Sequence, residues 1–330
     1  LLIVVFLLGA VVSLAASWQL VVRLERVGAR VGLAEALLGM LAAVAADAPE
    51  ITASVTALIG HQAHIGAGVA LGSNLFNLAA LLGLAALVGG RIHLHRRVVV
   101  LDGSVAVWVA GFGLLAVLGA VSAGVGFVLF AVLFAPYLLA LSAHRRVLER
   151  VPGAGRLVGW VELAVAEAEV ELEPAIHPRR GGARDVAEAV IAVAVVVGAS
   201  VAMERAASTL GTRQSVPQIL TGGLVLAGVT SVPNAVAGIY LARRGRGAAT
   251  LSTALNSNAI NVAFGLLLPG ALLGLGGVSG PSVLVAACNV GLTVCVLLAA
   301  WRSRGLRRRD GAAIVAGYCA FVVALVLTAG

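Results

Sequence analysis

Asp47 and Glu50 lie three residues apart in A-D-A-P-E-I-T-A-S, two carboxylates in an otherwise apolar run with Pro49 between them. On a helix that spacing brings both to one side. An acid inside a membrane costs about 2.5–3.5 kcal/mol on insertion scales, so one without a partner or a task is rare. Pro49 lacks a backbone N–H and strains the preceding turn, which frees carbonyl oxygens beside the acids. Farther along, G-S-N-L-F-N supplies Ser73, Asn74 and Asn77, with Ser73 and Asn77 one helical turn apart. Carboxylate, amide, hydroxyl and carbonyl oxygens are the hard ligands that Na⁺ and Ca²⁺ prefer. The chemistry these residues suit is the exchange of a cation's water for protein oxygen. Interhelical hydrogen bonding alone would account for Asn74 and Asn258; it does not account for the acids.

The same pattern occurs twice. Thr230, Ser231, Pro233 and Asn234 stand in T-S-V-P-N-A-V-A-G, and Ser257, Asn258 and Asn261 in T-L-S-T-A-L-N-S-N-A-I-N. Pro49 and Pro233, Ser73 and Ser257, Asn74 and Asn258, and Asn77 and Asn261 are each 184 residues apart (233 − 49 = 257 − 73 = 258 − 74 = 261 − 77), so the copies align without a gap. Such self-similarity marks an internal duplication.

Elements that hold polar groups in this way must lie in a bilayer. The chain is 60% hydrophobic and 12% charged, with a mean hydropathy of +1.04, a surface no water-soluble domain of this size tolerates. Its net charge of +8 comes from arginine clusters without interleaved aromatics, which excludes a nucleic-acid surface and reads as a topology signal. Cys288, Cys295 and Cys319 lie in apolar runs without metal-ligand spacing, so their role is packing and no disulfide framework is expected. The first residues form an apolar run that reads as a membrane helix rather than a cleaved leader.

At about 20 apolar residues per span, helices are expected near 1–21, 33–59, 65–89, 98–119, 122–142, 185–206, 215–241, 248–273, 281–300 and 311–329. All 23 basic residues are arginine, and 21 fall in the loops after the first, third, fifth, seventh and ninth spans, leaving only Arg205 and Arg213 opposite. The positive-inside rule therefore puts those loops in the cytoplasm and both termini outside. Five spans precede the central loop and five follow, so the two halves enter the membrane from opposite sides. The expected fold is an all-α membrane protein: a five-helix repeat at 1–142, a cytoplasmic linker at 143–184, and an inverted five-helix repeat at 185–330. Inverted repeats with polar residues at matching mid-span positions are the architecture of secondary transporters.

Other polar residues carry less. Glu162, Glu167, Glu169, Glu171 and Glu173 lack the order of a calcium loop and read as a linker helix on the membrane surface. Glu35 suits the first turn of a helix, and with Glu188 it is a candidate for an access path. His61 and His64 read as loop residues without zinc-protease order, and His93 and His95 as cytoplasmic surface. No phosphate-binding loop, nucleophile elbow or dinucleotide fingerprint occurs, so neither an enzyme nor an ATP-driven pump is expected.

A-D-A-P-E-I-T-A-S with G-S-N-L-F-N, and T-S-V-P-N with N-S-N-A-I-N, resemble the two alpha repeats of the sodium/calcium exchanger family of cation/calcium antiporters. The family pattern is G-T-S-x-P-E followed by G-S-N-x-x-N or G-S-N-x-x-D in each half. The resemblance implies that Glu50, Asn77, Asn234 and Asn261 bind the transported ions, with oxygen from Ser73, Ser257, Thr230 and Ser231. This chain departs from the pattern in that Asn234 replaces the second Glu, Asn256 replaces a Gly, and Asp47 stands where Ser is usual. Asp47 and Glu50 thus carry all the site's formal charge, which one Ca²⁺, two Na⁺ or two protons would neutralise. Two like charges side by side out of water favour keeping a proton, so proton coupling competes with sodium coupling.

The expected function is alternating-access antiport of Ca²⁺ or a related cation against Na⁺ or H⁺ at the plasma membrane, with lipid and inorganic cations as partners and no cofactor. A sodium/proton antiporter on the same fold, or a cation-binding sensor that does not transport, are the alternatives. A channel is disfavoured, since no filter loop or ring-forming acidic segment occurs.

Overall fold

The computed structural model describes residues 1–31, 43–142, 159–160 and 181–329. Glu35, the linker acids and the first part of the second expected span lie outside the described residues.

The described helices are α1 (Leu2–Val31), α2 (Ala48–Ile59), α3 (Ala63–Gly89), α4 (Arg96–Val117), α5 (Ala123–Ser142), α6 (Ala183–Arg213), α7 (Gln218–Thr230), α8 (Val232–Arg243), α9 (Gly247–Leu273), α10 (Gly280–Ser303) and α11 (Arg308–Ala329). Seven of the described helices are long and apolar enough to cross a membrane, or eight if α7 and α8, bent by 47°, form one broken span. α2 is a shorter apolar helix.

One departure from an all-helical chain appears on the arginine-rich side. β1 (Arg91–His93) pairs antiparallel with β2 (Gly305–Arg307), tying the segment after α3 to the turn between α10 and α11. Ile92 and Leu306, opposite each other in this ribbon, are buried, which explains why polar-looking loops pair here. Gly305 has φ +140°, and a Cβ there would collide with the Ile92 carbonyl, so the ribbon requires glycine.

α3 and α9 form the centre. Each continues through a π-helical segment, Leu78–Leu84 in α3 and Asn261–Leu267 in α9, beginning at the end of its polar motif. Such widened turns disturb the regular backbone ladder and are frequent at functional sites. Aliphatic and aromatic side chains of α3, α4, α5, α9, α10 and α11 fill one cluster, including Leu71, Leu75, Val109, Phe130, Leu266 and Phe321. A close backbone approach joins α3 to α7: a Cβ on Gly72 would strike the Gly223 carbonyl.

Helices 184 residues apart meet in reciprocal ways. α1 and α6 lie side by side and run antiparallel, with Gly9 against Met203, the Ser13 and Ser200 hydroxyls 2.6 Å apart, and Leu20 beside Ala189 and Ala192. Asn74 donates to the Asn258 carbonyl at 3.0 Å while Asn258 donates to the Asn74 carbonyl at 3.2 Å. Ser54 donates to the Gly265 carbonyl at 2.6 Å, and the positions offset from these two, Gly238 and Leu81, also pack closely.

Arg23 bridges to Asp185 at 3.0 Å and to Glu188 at 2.7 Å, and Arg184 bonds Glu188 at 2.7 Å. Glu188 thus belongs to an ion-pair network that joins the arginine-rich ends of α1 and α6.

Candidate cation site

Two helix breaks build the site. Residues 43–46 are helical, Asp47 is a turn with φ −85° and ψ −1°, and α2 resumes at Ala48. Between α7 and α8, Ser231 holds φ −88° and ψ 0°. The bonds across the two breaks match: Asp47 N–H to Ala43 at 2.9 Å and Ser231 N–H to Ala227 at 3.1 Å, then Ile51 N–H to Asp47 at 3.0 Å and Ala235 N–H to Ser231 at 3.1 Å. Pro49 and Pro233 sit in the first turn of α2 and α8, where a missing N–H is tolerated. The Ala45 carbonyl, which Pro49 cannot serve, accepts from the Ser17 hydroxyl of α1 at 2.7 Å.

Asp47 makes no capping bond to its own helix. Its Oδ1 instead accepts from Ser257 Oγ at 2.7 Å and Asn234 Nδ2 at 3.0 Å. Ser257 is a hub, because its Oγ also accepts from Asn77 Nδ2 at 3.0 Å and Asn234 Nδ2 at 3.4 Å. Asn77 Nδ2 lies 3.2 Å from Asn258 Oδ1. Glu50 Oε1 accepts from Ser231 Oγ at 3.1 Å. One connected network therefore links α2, α3, α8 and α9, drawing on residues up to 210 positions apart.

The donors of this network do not use up its oxygens. Asp47 Oδ2, Glu50 Oε2, Ser73 Oγ, Asn77 Oδ1 and both polar atoms of Asn261 are buried without a hydrogen-bond partner. Asp47 and Glu50 are 0% and 1% exposed, and none of the described ion pairs includes either. A buried charge without a counter-charge is strongly unfavourable. The free oxygens belong to hard donors, and a desolvated cation would match both the charge and the bonds that the described residues leave open.

The sequence candidates fall into four groups. Asp47, Asn77, Asn234 and Ser257 share one network, and Glu50 with Ser231 forms a second pair beside it on α2 and at the α8 break. Ser73 and Asn261 lie one helical turn from Asn77 and Ser257 on the same helix faces, buried and without partners. Thr230 is buried, and its hydroxyl donates back to the Leu226 carbonyl at 2.9 Å, which leaves the oxygen only as an acceptor or ligand.

Two buried acids escaped the sequence reading. Asp102 on α4 accepts a short hydrogen bond from Ser252 on α9. Glu204 on α6 is 2% exposed, and its Oε1 has no partner. Both interrupt apolar spans, the signal that singled out Asp47, but neither lies in the duplicated motifs; Glu204 falls near the end of the span expected at 185–206, beside Arg205.

The profile described as sodium/calcium exchanger protein matches residues 1–143 and 186–327, which together make up most of the chain. The chain belongs to the sodium/calcium exchanger protein family. It is therefore a multi-pass integral membrane protein of a transporter family and not an enzyme. Its fold is that of solved exchangers. A crystal structure of the H⁺/Ca²⁺ exchanger CAX is similar with a TM-score of 0.73 at 14% identity, over 98% of this chain and 82% of that one. The sodium-calcium exchanger NCX_Mj, soaked with zero Na⁺ and Ca²⁺, gives 0.59 at 18% identity over 98% of each chain. Native YfkE gives 0.65 at 16% identity over 98% of this chain and 92% of that one. No curated protein matches the chain in sequence.

The hub makes a prediction of intermediate size. Ser257→Ala removes the hydroxyl that holds Asp47 Oδ1 and accepts from Asn77 and Asn234. Losing such a bond to a charged group costs about 1.5–3 kcal/mol. Cation affinity, read by thermal shift in detergent, is expected to fall roughly tenfold or more. An unchanged affinity would show that the hub does not position the carboxylate.

Proposed function

We propose that this exchanger-family protein is a secondary antiporter that moves Ca²⁺ or a related cation across the plasma membrane against Na⁺ or H⁺. One observation carries the reading: Asp47 and Glu50 are buried at a helix break, without a cationic partner among the described residues and each with one oxygen unpartnered there. The ligands are Glu50 and Asp47, with Asn77, Ser73, Asn234, Asn261, Ser257, Thr230 and Ser231 supplying neutral oxygen. Two negative charges fit one divalent ion, or two monovalent ions or protons in its place, and that arithmetic supports exchange at a shared site.

The reading includes ten spans in two inverted repeats, 1–142 and 185–330, around a cytoplasmic linker at 143–184, with both termini outside. The antiparallel run of α1 beside α6 and the reciprocal Asn74–Asn258 bonds support inversion; the arginine distribution supports the orientation. In such an architecture one repeat's helices rock against the other's around the fixed site, exposing it to each side in turn. The ion's own charge stabilises the closed state, because without it the carboxylates repel each other.

Asn234 in place of a second family acid feeds a rival reading, a sensor that binds cations without moving them. A sodium/proton antiporter is the other rival, supported by the pairing of two carboxylates. Purified protein in liposomes under Na⁺, K⁺ and H⁺ gradients separates these. Ca²⁺ uptake that requires an opposing Na⁺ or H⁺ gradient is the expected result. Cation-dependent thermal stabilisation without flux would establish the sensor, Na⁺/H⁺ exchange indifferent to Ca²⁺ the second rival, and flux without a counter-ion a channel.

A further inference from the structure

The reciprocal network leaves Glu204 unused. It lies on α6 outside that network, where Met203 and Ala207 on either side of it share an apolar cluster with Ala53 and Ala57 of α2. Its side chain lines a cavity of about 490 Å³ between α2, the turn that follows it and α6, whose wall includes Thr56, Gln62, Arg205 and Ser208. The Ser208 hydroxyl donates to Gln62 Oε1 at 2.7 Å, and the Thr56 hydroxyl donates to the Thr52 carbonyl at 2.7 Å, so the lone pairs of both hydroxyls remain available. Glu204 is 2% exposed, Oε1 has no hydrogen-bond partner, and none of the described ion pairs includes it. Arg205 is exposed and shares the cavity wall, and its charge acts on the Glu204 carboxylate although none of the described ion pairs joins the two.

We propose that this cavity is a second cation site, an outer station in which Glu204, helped by the oxygens of Gln62, Thr56 and Ser208, holds a partly hydrated hard cation. Three observations carry it together. Glu204 Oε1 is buried without a hydrogen-bond partner among the described residues, the uncharged polar groups of the wall carry oxygens of the kind Ca²⁺ and Na⁺ accept, and the volume leaves room for retained water. Thr56 lies six residues from Glu50 along α2, about 9 Å by helical rise, on the side away from the arginine-rich loops. A cation held here is concentrated one short step from the central site; that staging role rests on the transport reading, whereas binding at the cavity does not.

Glu204→Gln keeps the shape and removes the charge. In liposomes with sided assays, the apparent affinity for Ca²⁺ or Na⁺ offered on the outer face is expected to fall on the order of tenfold relative to that on the arginine-rich face. Ser208→Ala, a milder change, is expected to shift the same ratio in the same direction. Binding is read separately, with radiolabelled Ca²⁺ and Na⁺ on protein carrying Asp47→Asn and Glu50→Gln. Weak residual binding that Glu204→Gln removes supports the outer site. Equal effects on both faces, or residual binding that Glu204→Gln leaves intact or no residual binding of either ion, would overturn it. Failure of the central-site reading shows differently, as transport surviving the Asp47 and Glu50 changes.

Discussion

Glu50→Gln is expected to abolish exchange while leaving the protein inserted and folded. Glutamine fits the space and still offers Ser231 an oxygen, so the contact between α2 and the α8 break persists. What disappears is one of the two carboxylate charges that the described residues bring to the proposed site. At about 4 Å and an effective dielectric of about 20, one such attraction is worth ~4 kcal/mol, so a loss of flux of roughly a hundredfold or more follows. Stability moves the other way. The wild-type acid is buried with an unpartnered oxygen, and removing an uncompensated charge from the interior relieves its desolvation. Cation-free Glu50→Gln protein should therefore melt no lower than the cation-free parent, and cation should no longer raise its melting temperature. Flux assays and detergent melting curves check both halves; substantial residual flux would show that another acid carries the site.

Much of this arrangement was legible in the sequence, for a physical reason. Groups that are expensive in a bilayer stand out against an apolar background, and a fixed offset of 184 links them pairwise. Asp47, Glu50, Asn77, Asn234 and Ser257 were visible as types and spacings. Their bonding was not. Nothing in the spacing indicates that Asp47 would reach across to Ser257 and Asn234 rather than cap its own helix, because that depends on how α2 and α9 cross. The π segments after Asn77 and at Asn261 carry no compositional mark, since L-A-A-L-L-G-L and N-V-A-F-G-L-L are mostly apolar runs that suit a membrane α-helix equally well. The β1–β2 ribbon escaped because three residues, with a single apolar side chain in each strand, are too short to set a period of two apart from a loop. Glu188 could not be separated from an access path until Arg23 was seen beside it.

The second large prediction concerns where the negative charge sits. Relative to the family pattern this chain has exchanged two residues: Asp47 stands where Ser is usual, and Asn234 where the second Glu is usual. The two side chains touch, Asn234 Nδ2 donating to Asp47 Oδ1 at 3.0 Å. The acid has thus moved across a single hydrogen bond, from one half of the protein to the other, and the site's formal charge is retained. Asp47→Ser alone should then be as damaging as Glu50→Gln, a loss of about a hundredfold or more, because one carboxylate is left to face the cation. It also strips the acceptor from Ser257 and Asn234, and each buried donor left unsatisfied costs about 1–3 kcal/mol, so this variant should melt lower, unlike Glu50→Gln. Asp47→Ser combined with Asn234→Glu puts the charge back on the other side of the same contact. Most of the lost flux and the cation-induced stabilisation are expected to return, and the pair is expected to be strongly non-additive, as contacting residues are. Asn234→Glu on its own adds a third buried carboxylate, and like charges packed together disfavour the ion-free state. Its melting temperature should fall without cation and recover steeply as Ca²⁺ is added. If the double change were no more active than Asp47→Ser alone, the charge would have to be held at position 47 itself, and Asp47 would be a ligand of fixed geometry rather than one of two interchangeable seats for the same charge.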